Sequence, residues 1–200
     1  MPTRKSPATL MGKRVHLRPP QRRDQKTFVA QARASRRLHG GWVQAPETPG
    51  AFAAYVARYN IATATPRHAG FLVVRNADDA IAGVFNFSEI VRGAFHSAYV
   101  GYYAFEPLAG DGYMAEGFAL ALDFPFTRLK LHRVEANVQP ANHRSIALVE
   151  RLGFEREGYS RRYVKIAGRW RDHVRFAMLA EDWAKRRRES RRRTSAAQRT

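Results

Sequence analysis

Within this 200-residue sequence, Gly110-Asp111-Gly112 is the stretch whose residue types and spacing best suit chemistry. Ahead of it, Ala98-Tyr99-Val100-Gly101-Tyr102-Tyr103-Ala104 alternates as a half-buried strand does. Behind it, Tyr113-Met114-Ala115-Glu116-Gly117-Phe118-Ala119-Leu120 reads as a helix. Strand, glycine turn and helix together bring free backbone N–H groups and the positive end of a helix dipole to one spot. That spot suits a phosphate. Glycine is needed because a side chain would hold the anion off and forbid the backbone angles. Gly110-x-Gly112-x-x-Ala115 also fits the dinucleotide fingerprint, but residues 105–109 separate the strand from the first glycine and the turn falls past mid-chain. An ordinary strand–helix loop is the third reading.

The elements that must hold this turn follow in order. Val15-His16-Leu17-Arg18 is a short strand stopped by Pro19-Pro20, and residues 22–38 form a helix broken at His39-Gly40-Gly41-Trp42. Thr48-Pro49 is an N-cap with proline in the first turn, and Phe52, Tyr55, Val56 and Tyr59 supply the helix face behind it. Residues 70–74, 81–87 and 98–104 make an antiparallel meander. Pro125 ends or kinks the helix after the glycine turn. Residues 132–138 form a strand parallel to 98–104, since a helix joins the two. Asn142 caps a helix that Gly153 closes, and residues 154–179 turn back at Ala167-Gly168 as a hairpin. The order β-α-α-β-β-β-α-β-α-β-β is an α/β fold with a mixed sheet in one domain, residues 14–183. Residues 1–13 are read as a flexible arm, and 184–200 as a basic, disordered tail.

Composition narrows the chemistry. With no cysteine, disulfides, zinc–thiolate sites and a cysteine nucleophile are excluded. The seven histidines are dispersed, so no metal site is expected. No G-x-S-x-G and no P-loop occurs. The start lacks the apolar run of a signal peptide, no stretch approaches a membrane span, and a cytoplasmic protein is expected. Net charge is +18; eight basic residues against Glu189 give the tail +7 and leave +11 for the body. Such a balance points to a polyanion nearby, nucleic acid or an anionic cofactor, or else to solubility alone.

Four features occur in order: the glycine turn between strand and helix, Asn137-x-x-Pro140-x-Asn142, Ser145-Ile146, and Leu152-Gly153-Phe154-x-x-x-Gly158. That set resembles the GNAT superfamily of acetyl-CoA-dependent N-acyltransferases. Within it the chain is similar to the RimJ/RimL group of ribosomal-protein N-terminal acetyltransferases, its alanine branch most of all. FNFSEIVRGAFHSAYVGY (85–102), LHRVEAN (131–137), RLGFEREGY (151–159) and GRWRDHV (168–174) carry the likeness, which covers residues 14–183. The resemblance implies a mixed, mostly antiparallel sheet, flanked by helices, whose two parallel strands splay around the pantetheine arm. It implies that acetyl-CoA is the co-substrate, with its pyrophosphate on Gly110, Asp111, Gly112 and Tyr113. Tyr102, Tyr103, Asn137, Asn142 and Ser145 complete that site by resemblance. The sequence departs from the family at Pro107 and Ala109, where arginine or glutamine is usual, and at Asp111, a negative charge beside a pyrophosphate.

Acyl transfer from a thioester needs a neutral amine, donors for the oxyanion and a thiolate able to leave. Without cysteine, direct attack in a ternary complex is expected. Backbone N–H groups near Tyr102–Tyr103 are the expected oxyanion donors. Ser145 is expected to aid the thiolate, or only to support its helix cap. Glu89 is expected to relay a proton through water, or to be an exposed turn carboxylate. Tyr102 and Tyr103 are acids or sheet packing. Trp42, Asn86, Arg92 and Phe95 are expected to shape the acceptor groove. The leading reading is acetylation of a protein's N-terminal amine, on a ribosomal or nascent chain, with ribosome or RNA contact through the tail. A monomer or dimer fits, and no membrane partner is expected. An acetyltransferase for small amines such as polyamines fits less well, since those polycations meet a body at +11. A GNAT-fold protein that binds RNA without activity is the third alternative.

Overall fold

The computed structural model describes residues 9–59 and 65–197. The first strands are β1 (Leu10–Met11), β2 (Val15–Arg18), β3 (Ala69–Arg75), β4 (Ile81–Val91) and β5 (Ser97–Ala104). The later strands are β6 (Arg133–Val138), β7 (Glu155–Ile166) and β8 (Arg169–Leu179). They form one sheet in the order β1-β2-β3-β4-β5-β6-β8-β7. Strands β1 to β5 are antiparallel neighbours, β5 and β6 are parallel, and β8 pairs antiparallel with both β6 and β7. This is the mixed α/β arrangement that the sequence implied.

The helices are α1 (Gln25–Ala34), α2 (Arg36–His39), α3 (Pro49–Arg58), α4 (Tyr113–Asp123), α5 (His143–Leu152) and α6 (Ala180–Ala197). Because side chains alternate along a strand, the sheet builds two cores. Phe71, Val73, Phe85 and Phe87 face Phe118 of α4 and Val149 of α5. Leu72, Val74 and Val84 face Phe28 and Val29 of α1 and Phe52 of α3. Thr48 accepts the Ala51 N–H at 3.2 Å, with Pro49 in the first turn of α3. Pro125 stops α4 at Asp123, and the chain leaves through a π-helical turn, Phe124–Arg128.

Three expectations need correction. Within the supposed arm, Leu10 and Met11 pair with Leu17 and His16, because β2 offers a free edge; residues 1–8 lie outside the described residues. The helix expected over 22–38 is a 3-10 turn (Arg22–Asp24) followed by α1 and α2, broken at buried Ser35, whose hydroxyl accepts the Glu106 N–H at 2.9 Å. The tail continues β8 as helix α6 up to Ala197, with 198–200 outside the described residues. Buried Trp183 gives α6 its anchor, donating to Asp123 Oδ1 at 3.0 Å. Arg187 meets the same oxygen at 3.0 Å, and Arg186 donates to the Arg151 carbonyl at the end of α5 at 3.0 Å. Residues 183, 186 and 187 share one helix face, which composition alone does not reveal as a docking face.

Candidate active site

Parallel pairing between β5 and β6 lasts three residues, ending at Tyr99↔Glu135. Beyond it Val100–Ala104 and Ala136–Val138 part. Strand backbone carries donors and acceptors that need partners, so the gap is a natural seat for a polar ligand.

On the α4–α5 side of the gap lies Tyr102, its ring against Phe85 and Phe118. Its hydroxyl is 2.5 Å from Ser145 Oγ and donates to the Ser145 carbonyl at 3.1 Å. Burial pushes this phenol well above its ordinary range, and the bond to Ser145 offsets only part of that. It therefore keeps its proton at any physiological pH. Ser145 stands in the first turn of α5, where its N–H donates to the Asn142 side chain at 3.2 Å. The Asn142 oxygen thus caps α5.

Across the sheet lies a second set. Asn86 is directly opposite Gly101, and its Oδ1 accepts from Tyr55 at 2.8 Å. Gly101 is exposed in mid-strand, and a Cβ there would meet nothing within 4 Å. Strand alternation puts Tyr99, Tyr103, Asn137, Arg171 and Arg175 on this face too. Tyr103 Oη, Asn137 Oδ1, Arg171 Nε and Arg175 Nε are buried without a hydrogen-bond partner. Orphaned polar atoms are costly unless a ligand or water meets them, so this face is built to receive polar groups. Burial also raises the Tyr103 phenol far above its ordinary range. Beside the end of β6 a cavity of about 410 Å³ is lined by His39, Gly41, Val43, Glu47, Ile166 and Ala167. Gln139 closes one wall by donating to the Gly41 carbonyl at 3.1 Å and to that of Trp42 at 3.5 Å. His39 Nε2 lies 2.9 Å from the Ala104 carbonyl; a carbonyl only accepts, so this nitrogen carries the proton.

At the open end of the gap stands the glycine turn. Gly110 and Gly112 have φ of 104° and 83°, the left-handed region that side chains resist. Space around Gly110 is open, and Gly112 is the N-cap of α4 without any side-chain cap. The turn therefore fits a phosphate. Sequence reasoning missed the cation that serves it. Arg14, just before β2, donates to the Asp111 carbonyl at 3.1 Å and pairs with Glu116 at 3.0 Å. Its guanidinium also lies 5.0 Å from the centre of the Tyr113 ring, with Arg75 at 5.8 Å. Each arginine is paired with a carboxylate, Arg14 with Glu116 and Arg75 with Asp78, so they brace the turn from a side where Pro107 and Ala109 supply no cation. Asp111 is itself exposed.

The remaining candidates lie elsewhere. Glu89 is exposed at a bulge of β4 with φ of 47°, and its charge is felt by Tyr59 and His68. It is four residues along β4 from Phe85, the partner of Tyr102, or about 13 Å. Arg92 donates to the Leu129 carbonyl at 2.6 Å, and Phe95 sits exposed in the β4–β5 turn. Both lie at the closed end of the gap, so the structure does not bring them to the Tyr102–Ser145 pair. Trp42 is half-buried beside the cavity through its main chain.

A profile of the acetyltransferase (GNAT) domain family matches residues 14–155. The chain is 46% identical to the ribosomal protein uS5-alanine N-acetyltransferase of Escherichia coli K12 over 103 residues, 52% of this chain and 53% of that one. It thus spans about half the length of that curated relative. Mycobacterium smegmatis RimJ, solved in complex with CoA-disulfide, superposes with a TM-score of 0.80 at 28% identity, covering 88% of this chain and 89% of that one. The ribosomal-protein-S5-alanine acetyltransferase of Vibrio fischeri gives 0.78 at 25% identity, covering 88% and 98%.

Proposed function

We propose, from the premise that the chain belongs to the GNAT acetyltransferase family, that it moves an acetyl group from acetyl-CoA to the N-terminal α-amine of a protein. The acceptor we favour is a ribosomal protein beginning with a small residue, in the cytoplasm. The observation that carries this reading is the gap past Tyr99–Glu135, with a hydroxyl pair on one face and orphaned polar groups on the other. Relatives named for ribosomal-protein alanine acetylation support the choice of acceptor.

The residues divide the work. N–H groups of the turn Gly110–Gly112 and of Tyr113 would hold the pyrophosphate, with Arg14 fixing the turn. Acetyl-CoA supplies an activated thioester. The Tyr102–Ser145 pair would donate a hydrogen bond to the departing sulfur. Full proton transfer is disfavoured, since a buried phenol above ~10 would be giving its proton to a thiolate near ~8.5. Main-chain N–H groups of β5 past Tyr99 are the oxyanion donors. The acceptor would approach from the Asn86–Gly101 face, its first side chain in the cavity beside Gly41.

No strong base is needed. An α-amine has a pKa of ~7.7–8.0, so a useful fraction is neutral at pH 7. Lysine, at ~10.4, costs roughly 3.4 kcal/mol more to neutralise. The acceptor is therefore an α-amine and not a lysine side chain. Ribosomal RNA would meet the outer face of α6, where Lys185, Arg188 and Arg192 are exposed in one row. The test is mass spectrometry on two peptides, one with a free alanine N-terminus and blocked lysines, the other reversed. Preferential acetylation of the second would overturn the assignment.

A further inference from the structure

The β7–β8 hairpin has a second face, turned away from Arg171 and Arg175 and outside the site proposed above. Trp170 is 60% exposed and Tyr159 50%. Cross-strand partners share a face, and Lys165 is directly opposite Trp170, while Tyr159 is opposite Val174. Counting by twos along β8, Trp170, Asp172 and Val174 point the same way, so both rings stand on one face about 13 Å apart. The shift in register between Ser160 and Val164 makes a bulge there, with Arg162 at φ of 48°. Asp172 pins that bulge. It accepts the Arg162 N–H at 2.7 Å and the Tyr159 hydroxyl at 2.5 Å. The hydrogen bond from Tyr159, then that from Arg162, hold this carboxyl below its usual range. The acid between the rings is therefore engaged within the hairpin, whereas Arg161, Arg162 and Lys165 are exposed.

Rings interleaved with cations on a rigid ribbon meet two needs of an unpaired strand, a flat surface for bases and charge for phosphates. A duplex hides its base faces and would use only the charge. A second copy of this chain would set like charges together, against a net +18 on each. A bilayer would want a continuous apolar face, and here Asp172, with Arg161 and Arg162 beside it, separates the rings. We propose that this face of the β7–β8 hairpin binds single-stranded nucleic acid, stacking bases on Trp170 and Tyr159 and holding phosphates on Arg161, Arg162 and Lys165. It goes beyond acetyl transfer and is tested without acetyl-CoA, so its failure leaves that reading standing.

Tryptophan fluorescence gives the readout, since the other two indoles are half-buried Trp42 and buried Trp183. A short oligoadenylate, made as RNA and as DNA, is titrated against the full chain, alongside a matched RNA duplex. Single strands quench the emission and bind more tightly than the duplex, and the better of RNA and DNA identifies the source. Trp170→Ala weakens single-strand binding about tenfold, within the range of one lost stack. Trp170→Phe keeps most of the affinity while losing the quench. Arg161→Gln with Arg162→Gln lowers the salt slope by about 1.4. Far-ultraviolet circular dichroism checks that each variant is folded. Equal binding of duplex and single strand with no loss in Trp170→Ala overturns the proposal. So does a quench that survives in Trp170→Phe, or one produced by phosphatidylglycerol vesicles and not by the oligonucleotides.

Discussion

The Tyr102 hydroxyl lies 2.5 Å from the Ser145 hydroxyl, tying the free part of β5 to the first turn of α5. Two residues 43 positions apart are thus joined in one hydroxyl pair, which under the proposed function would act as a single donor. Ser145→Ala and Tyr102→Phe should each lower kcat about ten- to a hundredfold, the range of a lost hydrogen bond to a developing charge. The KM for acetyl-CoA should stay nearly unchanged, because the interaction strengthens only as the sulfur departs. Removing both groups should cost little more than removing either. Steady-state kinetics check this, and a change confined to KM would reduce the pair to a binding role.

The glycine turn makes a second test. Gly112→Val combines a left-handed φ with a Cβ 3.1 Å from Arg14 Nη2, so acetyl-CoA binding should fall sharply. Arg14→Gln should weaken it severalfold, and Asp111→Asn should tighten it modestly by removing a like charge. Isothermal calorimetry reads all three. An unaltered affinity in Gly112→Val would remove the turn from the binding site.

Glu116 sets a pH dependence. Its burial opposes ionisation, but the Arg14 N–H, the Arg14 guanidinium and the Val15 N–H outweigh it and hold the carboxyl below its usual range. A depressed carboxyl contributes stability above the unfolded value near ~4.3, and loses it as pH falls through the folded value. Melting temperature should therefore drop more steeply below about pH 4.5 in the parent than in Glu116→Gln, which starts lower at neutral pH. Parallel melting curves for the two would contradict this assignment.

Helix α6 divides into an anchored and an outward part. Trp183→Ala should destabilise the fold by about 3–5 kcal/mol, as for other buried aromatic deletions. Deleting residues 188–200 keeps Trp183, Arg186 and Arg187, so the melting temperature should hold. Sedimentation with ribosomes across a salt series should then show weaker binding and a flatter slope, by ~0.7–0.9 for each phosphate no longer neutralised. Undiminished binding would leave the row of cations as a solvated face.

Local signals were legible in the sequence because local chemistry sets them. Thr48-Pro49, Asn142 with Gly153, Pro125 and the Gly110–Gly112 turn each act on their immediate neighbours, and each stands where the pattern placed it. The parallel pair followed from the helix between its strands. Long-range contacts were not legible. Arg14 meets Glu116 across 102 residues, and no spacing rule links them. The anchoring of the basic tail was equally hidden, since Trp183 just ahead of it finds its partner in Asp123, 60 residues earlier. Arg92 and Phe95, expected to shape the groove, precede β5, and register puts that turn at the closed end of the gap, which no local spacing reveals.

A sheet that opens between two strands can be entered from both sides. The hydroxyl pair looks out on one side, and Asn86 with Gly101 on the other. Traffic through such a site has two doors, so neither substrate need wait behind the other, and neither product blocks the other's exit. With one substrate on each side, as the proposed function has it, turnover would call for no lid and the order of arrival would be free. Initial-rate lines for varied donor and acceptor should intersect instead of running parallel, and each product should compete only with the substrate that shares its doorway.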